Sequence, residues 1–122
     1  MDKIKDHGTS GYPEVITRLP EADIQFKGVK AWIMQADLSQ LVFFEFEAGA
    51  SVPEHSHDYP QWGIVIEGKM ELTINDKPRI CEKGTEYVIP GGVKHKARFF
   101  EKTRVTDLFS ERARYKPKSN KQ

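Results

Sequence analysis

The chain has 122 residues, a length that fits a single domain. Its 19 basic and 18 acidic side chains give a formal net charge of +1, which argues against a nucleic-acid partner because nucleic acids are bound by a basic face. The single cysteine, Cys81, excludes an internal disulfide framework and is typical of a reducing compartment. No apolar run approaches the roughly twenty residues of a membrane span, and the first residues lack the apolar core of a signal peptide. We therefore predict a small cytoplasmic domain with no membrane partner.

Short runs that alternate apolar and polar residues follow one another through the middle of the chain, as they do in β-strands. The run that ends at Ile74 is followed by Asn75 and Asp76, residue types that tolerate the left-handed backbone of a tight hairpin. No window of eleven or more residues keeps a helical period. Many short strands at this spacing favour an all-β sandwich or barrel. The predicted strands cover residues 42–47, 61–67, 70–74, 87–89, 95–100 and 103–109.

The two ends of the chain differ in composition from the middle. Residues 1–18 begin with a polar stretch punctuated by glycine, which we interpret as an N-terminal arm that is loose up to residue 13. Residues 113–122 are rich in lysine and arginine, and we interpret them as a basic C-terminal tail that is solvated, although such a tail can also bind anions. The domain itself is predicted to span residues 19–112.

Three of the four histidines have a spacing that can bring them together. His55 and His57 are two residues apart, so on a strand both rings project from the same face. Gln61 follows four residues after His57, and His95 opens another predicted strand. Neutral imidazoles on a rigid sheet are strong ligands for divalent transition metals. The alternative is that these histidines, like His7 in the arm, are solvated or satisfied by neighbours in the core.

The residues around these histidines resemble the two sequence motifs of the cupin superfamily. Residues 49–68 read GASVPEHSHDYPQWGIVIEG and have the spacing of the first motif, and residues 84–95 read GTEYVIPGGVKH and have the spacing of the second. The resemblance implies a single-domain jelly-roll β-barrel that holds one divalent transition metal, Zn, Ni, Fe or Mn, and it also suggests a homodimer. The ligands that it implies are His55, His57, Gln61 and His95.

Two positions depart from the cupin pattern. Gln61 stands where the first motif usually has a glutamate, and a neutral amide leaves the full charge on a divalent ion. The ion is then a stronger Lewis acid toward an anionic or enolic oxygen. Phe99 stands where an asparagine often follows the second motif, and we interpret it as a side chain that fills the core.

Alternation along the predicted strand at residues 61–66 divides its side chains between two faces. An apolar set on the outer face requires cover from a second sheet layer or a partner subunit, and this favours the homodimer. The inward residues are predicted to be Gln61, Gly63 and Val65, and the outward ones Trp62, Ile64 and Ile66.

The last predicted strand carries a second resemblance. Asp107-Leu-Phe-Ser-Glu-Arg112 is similar to the closing segment of small cupins that open unsaturated uronates from the breakdown of pectin and alginate. In those relatives an aspartate, a phenylalanine and an arginine from this segment enter the pocket. The resemblance implies catalytic roles for Asp107 and for Arg112, with Arg114 as the other arginine that can take the position.

Three functions from different classes are compatible with these residues. The first is a metal-dependent lyase or isomerase that acts on a small sugar acid or a related enolisable carboxylate, with Asp107 as the group that moves a proton. The second is an oxygenase that uses a redox-active metal in the same site. The third is a cupin that binds a small molecule or a metal without catalysis. The identity of the metal separates the first two, because zinc excludes the oxygenase.

Overall fold

The structure, a computed structural model, describes residues 11–119 of the chain. His7, with the rest of the predicted arm up to residue 10, and residues 120–122 of the predicted tail lie outside the described residues. In residues 11–119 no helix has the length and apolar character needed to cross a membrane. The elements are α1 (Glu14–Thr17), β1 (Val29–Gln35), β2 (Gln40–Phe46), β3 (Ser51–His55), β4 (Gln61–Glu67), β5 (Lys69–Ile74), β6 (Lys77–Glu82), β7 (Glu86–Ile89), β8 (His95–Phe99) and β9 (Thr103–Phe109).

The strands form two sheets in which every named pair is antiparallel. The five-stranded sheet has the order β1-β2-β9-β4-β7, and the four-stranded sheet has the order β3-β8-β5-β6. Strands far apart in sequence are neighbours, such as β2 with β9 and β3 with β8, so the chain crosses repeatedly between the sheets. This is the arrangement of a jelly roll, and it confirms the predicted all-β fold.

The core lies between the two sheets and is rich in aromatic rings. Phe46 stacks on Phe99 with ring centroids 3.8 Å apart, which confirms that Phe99 fills the core. Phe44 stacks on Phe46 at 5.4 Å and meets Phe109 edge to face at 6.3 Å. Cys81, with 0% of its surface exposed, packs here as a small apolar side chain. These rings form the floor and walls of the cavity described below.

The turn between β5 and β6 requires residues that tolerate positive φ angles. Asn75 and Asp76 have φ angles of 51° and 68°, so both lie in the left-handed region and the predicted hairpin is confirmed. Gly68, with φ of 102°, precedes the same hairpin. A Cβ there would lie 2.5 Å from the carbonyl oxygen of Lys102, so a side chain is excluded by both backbone angle and space.

The outer face of the five-stranded sheet is only half covered. Tyr12 is 4% exposed and lies edge to face against Trp32 and Phe43, and its hydroxyl donates to the carbonyl of Phe44 at 2.8 Å. Tyr12 was predicted to lie in the loose arm, and the structure packs it instead on this sheet. The other half carries a line of apolar side chains, one per strand and in register, that we name the apolar row: Met34, Leu41, Leu108, Trp62 and Val88.

Part of the predicted C-terminal tail packs on the barrel. Residues 111–118, which we name the C-terminal strap, return from the end of β9 across the open end of the barrel. The buried side-chain amide of Gln40 donates to the carbonyl of Tyr115 and accepts from its backbone N–H, both at 3.0 Å. Farther along, Pro117 bridges to Ala22. The strap is therefore anchored to the barrel, in contrast to the predicted solvated tail.

Candidate active site

The fold brings the three motif histidines to one end of the barrel. His55 is the last residue of β3 and His95 the first of β8, and the two are register partners. His57 lies in the loop that leads into β4, whose first residue is Gln61. One ring nitrogen from each histidine lies within 4.8 Å of the others. Residues that are forty apart in sequence thus form one cluster.

The second ring nitrogen of each histidine fixes its orientation. Nδ1 of His55 lies 2.9 Å from the carbonyl of Pro53, and Nδ1 of His95 lies 2.9 Å from that of Val93. Nδ1 of His57 contacts the carbonyl of residue 59 at 2.8 Å. Because a carbonyl oxygen only accepts, we assign the proton of each neutral ring to Nδ1. Each Nε2 then carries a lone pair, which is the orientation that metal-bound histidines adopt in proteins.

Two features of this cluster suit a bound cation. Nε2 of His57 faces Oε1 of Gln61 at 3.1 Å, although the orientation of that amide makes both atoms acceptors. Nε2 of His95 is buried, and it has no hydrogen-bond partner among the residues that the structure describes. A cation bound by these atoms removes the repulsion and satisfies the buried nitrogen. Three imidazoles and an amide oxygen form a donor set that suits a divalent transition metal.

Burial keeps His55 and His95 neutral. Desolvation lowers the pKa of His95 to about 4 and also lowers the pKa of His55, and the hydrogen bonds to backbone carbonyls oppose this shift only in part. The Arg114 guanidinium and the neighbouring histidines lower both values further. Their lone pairs are therefore available near neutral pH.

Asp107 lies next to this cluster, buried on β9 with 5% of its surface exposed. Its Oδ1 accepts from the Tyr87 hydroxyl at 2.7 Å, and its Oδ2 accepts from Nε2 of Gln61 at 3.2 Å. Burial raises the pKa of Asp107 to about 7, while the hydrogen bonds from Tyr87 and Gln61 oppose the shift. The same amide that faces His57 thus also contacts a carboxylate that can exchange a proton near neutral pH.

A glycine makes room for this carboxylate. Gly63 on β4 pairs with Tyr87 on one side and with Asp107 on the other. A Cβ at this position would lie 2.0 Å from Oδ1 of Asp107 and 2.3 Å from the ring of Tyr87. A glycine inside a strand often marks such a close approach. The sequence carried this signal, but it did not identify Tyr87 as the partner of Asp107.

The arginine that the structure brings to the histidines is Arg114. Its Nη2 lies 3.4 Å from Nε2 of His55, and its guanidinium lies over the rings of Phe109 and Tyr115 at 5.6 and 4.8 Å. Arg112, the arginine named first from the resemblance, is exposed, and its carbonyl accepts from Gln35 at 2.8 Å. The chain turns after β9, so the later arginine returns over the barrel end and the earlier one stays outside.

Two neighbouring cavities, which share part of their lining, adjoin the cluster. The inner cavity, of about 60 Å³, lies between the sheets and is lined by His55, His95, Gln61 and Asp107 among others. The outer cavity, of about 450 Å³, opens between the strap, β3 and the segment before β1. The residues that line both are Phe44, Phe46, Val52, His55, Arg114 and Tyr115.

The alternation predicted for β4 is confirmed. Gln61 and Val65 are 7% and 1% exposed, and Trp62 and Ile66 are 43% and 37% exposed. Trp62 therefore faces away from the histidines and belongs to the apolar row. Gln61 and Asp107 can meet because both lie on inward positions of adjacent strands.

The fold and the site define the class of this protein as a small jelly-roll barrel with three histidines that could hold a metal. Comparison with known proteins gives the family. The model of the cupin domain matches residues 42–108, so the chain belongs to the cupin family. A comparison with curated proteins found no match.

Solved structures agree with this fold. The structure of KdgF from Halomonas sp. has a TM-score of 0.72 and 27% identity, covering 79% of this chain and 91% of that one. An RmlC-like cupin from Shewanella frigidimarina has a TM-score of 0.73 and 22% identity, covering 90% and 94%. Salicylate 1,2-dioxygenase from Pseudoaminobacter salicylatoxidans has a TM-score of 0.68 and 16% identity, covering 73% of this chain and 26% of that one. At the lower identities the likeness concerns the fold alone.

Proposed function

We propose that this cupin is a metal-dependent lyase or isomerase that acts on a small enolisable carboxylate, sugar acids included. The observation that carries the proposal is the buried carboxylate of Asp107, which accepts a hydrogen bond from the amide nitrogen of Gln61, while the amide oxygen of Gln61 faces His57 of the three-histidine cluster. A carboxylate whose pKa is raised to about 7 by burial is suited to take up and return a proton at neutral pH. Reactions that open a ring or shift a double bond beside a carboxylate need such a transfer.

His55, His57, His95 and Gln61 are the residues that would hold the metal. When bound, the metal supplies Lewis-acid stabilisation of negative charge on a substrate oxygen, and the neutral amide of Gln61 leaves its charge undiminished. The histidines stay fixed because each donates its Nδ1 proton to a backbone carbonyl. The chain thereby presents a preorganised donor set rather than one assembled on binding.

Arg114 binds the carboxylate of the substrate. Its guanidinium lies between the inner and outer cavities, and none of the ion pairs among the described residues involves it. Its Nε is buried and lacks a hydrogen-bond partner among the same residues. An arginine can offer a carboxylate two parallel N–H donors, which fixes the orientation of the acid. The reacting carbon is then directed toward the inner cavity and Asp107.

Asp107 moves the proton and Tyr87 positions it. The hydroxyl of Tyr87 holds Oδ1, so Oδ2 is the oxygen that is turned toward Gln61 and the histidines. Burial raises the pKa of Tyr87 well above its ordinary value, so the hydroxyl keeps its proton and remains a donor to Asp107. The ring also closes one wall of the inner cavity and excludes water from the carboxylate.

The proposal is tested by the loss of conjugated absorbance from two substrates, an unsaturated uronate that opens and the enol of an aromatic 2-oxo acid that becomes the ketone. Wild-type protein loaded with metal should turn over at least one of them. Asp107→Asn keeps the size of the side chain and should lower turnover by about 10²–10⁴, with metal content unchanged.

The matched control is Asp37→Asn, an exposed aspartate in the turn between β1 and β2, which should leave turnover unchanged. Removal of the metal with a chelator should abolish turnover, and the added ion should restore it. If fully loaded wild-type protein leaves both absorbances constant, the lyase or isomerase function is refuted. Equal rates for wild type and Asp107→Asn would refute the catalytic role of Asp107 but not the lyase or isomerase function.

A further inference from the structure

The inner cavity is too small for the body of a substrate. Its volume is about 60 Å³, which is room for about four water molecules at about 15 Å³ each. Only the reacting atoms of an acid can enter it. The rest of the molecule must lie in the outer cavity, whose volume of about 450 Å³ is in the range of small-molecule sites.

The wall of the outer cavity is apolar where it is deepest. Phe44 and Phe46 are each 5% exposed, and Ile24, Val29 and Val52 are partly buried and pack against the same core. A sugar hydroxyl placed against this wall loses its hydrogen bonds to water and gains none in return. The wall therefore favours an aromatic or aliphatic group over a polyhydroxylated ring.

Charge divides the outer cavity into two ends. Arg114 lies at the inner end, where the two cavities meet, and the acidic side chains of Asp23 and Glu54 lie at the exposed edge. Asp23 already accepts a hydrogen bond from Gln25 at 2.6 Å. The inner end attracts one anionic group, and the edge repels a second one.

We infer that the outer cavity is a subsite for an apolar group, so that the ligand of this cupin is a monocarboxylate with an aromatic or branched aliphatic body. This inference rests on the proposed function for its acidic head group, which Arg114 binds, and it selects among the enolisable carboxylates named there. The apolar body lies along Phe46, Ile24 and Val29, with Phe26 at the mouth, where it is 49% exposed.

Part of the outer cavity is formed by residues that lie outside the match to the cupin domain. The segment that supplies Ile24, Phe26 and Val29 precedes the match to the cupin domain at residues 42–108, and Arg114 follows it. Residues on both sides of the match therefore contribute to the outer cavity, together with residues inside it such as Phe44, Phe46 and His55.

The test measures equilibrium binding by calorimetry to metal-loaded and metal-free protein. Three probes are used: lactate, phenyllactate, which adds a phenyl ring to the same 2-hydroxy acid, and glucuronate as a sugar acid of equal charge. Burial of about half of the phenyl surface corresponds to roughly thirtyfold in affinity. We expect phenyllactate to bind about thirtyfold more tightly than lactate, and glucuronate to bind no better than lactate.

Two variants locate the effect. Phe26→Ala should lower the affinity for phenyllactate about fivefold and leave the affinity for lactate unchanged, since only the phenyl ring reaches residue 26. Phe100→Ala is the matched control, because Phe100 is similarly exposed at 45% but lines neither cavity, and it should change neither affinity. Because Phe26 is half exposed, its replacement should not disturb folding.

The outcomes separate the subsite from the proposed reaction. Equal affinities for lactate and phenyllactate, or tighter binding of glucuronate than of phenyllactate, overturn the apolar subsite. Failure of all three acids to bind overturns it together with the head-group role of Arg114. A preference for phenyllactate that depends on Phe26 supports the subsite even if the protein turns over no substrate, because binding is measured without catalysis.

Discussion

Gly63→Ala should disrupt the candidate site without touching a histidine. The added Cβ would lie 2.0 Å from Oδ1 of Asp107 and 2.3 Å from Cζ of Tyr87, whereas ordinary contact begins near 3.4 Å. The carboxylate must therefore move by about 1.4 Å (3.4 minus 2.0) and the tyrosine ring by about 1.1 Å (3.4 minus 2.3), or β4 must shift away from both. Both are buried and joined by a 2.7 Å hydrogen bond, so neither has free space to enter.

The size of the effect follows from these contacts. Overpacking a core costs about 1–3 kcal/mol, and loss of a buried hydrogen bond costs about 1–3 kcal/mol more, so the free energy of unfolding should fall by about 4 kcal/mol. For a domain of this size that corresponds to a melting temperature lower by roughly 15 °C. A shift of about 1 Å in Asp107 should lower turnover by about 10² while the histidines still retain metal.

The assay combines urea unfolding, metal content and turnover for the wild type and the variant. Gly11→Ala is the control, because its Cβ meets only the flexible side chain of Arg104, at 3.2 Å, and it should change stability by less than about 0.5 kcal/mol. In Gly63→Ala/Asp107→Ala the first clash is absent, so the double variant should lose less stability than the sum of the single variants. Wild-type stability and turnover in Gly63→Ala would refute the close packing around Asp107.

Three further predictions concern the metal, the arginine and the assembly. His57→Ala/His95→Ala should lose the metal, measured by elemental analysis of protein purified without a histidine tag, and keep a β-sheet circular dichroism spectrum; stoichiometric metal in this variant would contradict the ligand assignment. Arg114→Ala should raise the KM for a carboxylate substrate at least tenfold, whereas Arg112→Ala should leave the KM unchanged. A larger rise in KM for Arg112→Ala than for Arg114→Ala would assign the binding of the substrate carboxylate to Arg112. Sedimentation at micromolar concentration should show a homodimer that Trp62→Glu, in the apolar row, converts to monomer; a wild-type monomer would count against the apolar row as the interface.

Most of the strands that the sequence predicted have one buried and one more exposed face, and β2, with its buried run at residues 44–46, is an exception. In β9 the burial alternates strictly through Val105, Asp107 and Phe109, and the pattern of the sequence follows it. β1 departs from this rule, since three consecutive residues, 31–33, are buried. Tyr12 covers the outer face at Trp32, so both faces of β1 are covered and alternation disappears.

Two other strands were missed for different physical reasons. β3 contains Pro53, which removes a backbone donor, and its register shifts between Val52 and His55. β6 lies at the edge of its sheet, and only Cys81 in it is buried. Edge strands need little apolar pattern because one side of the backbone is not paired.

Part of the candidate site could likewise be predicted from the sequence, and part could not. The four proposed metal ligands follow from short-range spacing within two motifs, and strand pairing brings the motifs together. The contact of Tyr87 with Asp107 depends on the space that Gly63 leaves between two partner strands, which no local pattern records. The choice of Arg114 over Arg112 depends on how the chain turns after β9, which is a property of the tertiary structure.

The anchoring of the C-terminal strap has a consequence for how this barrel can change over evolution. The amide of Gln40 binds the backbone of Tyr115 and not its side chain, so these two hydrogen bonds do not depend on the side chains that the strap carries. The histidines, in contrast, sit on and between the strands of the barrel. Substitutions in the strap can therefore exchange Arg114 for another side chain while the three-histidine cluster stays in place, so the proposed acid-binding group and the proposed metal ligands can change independently.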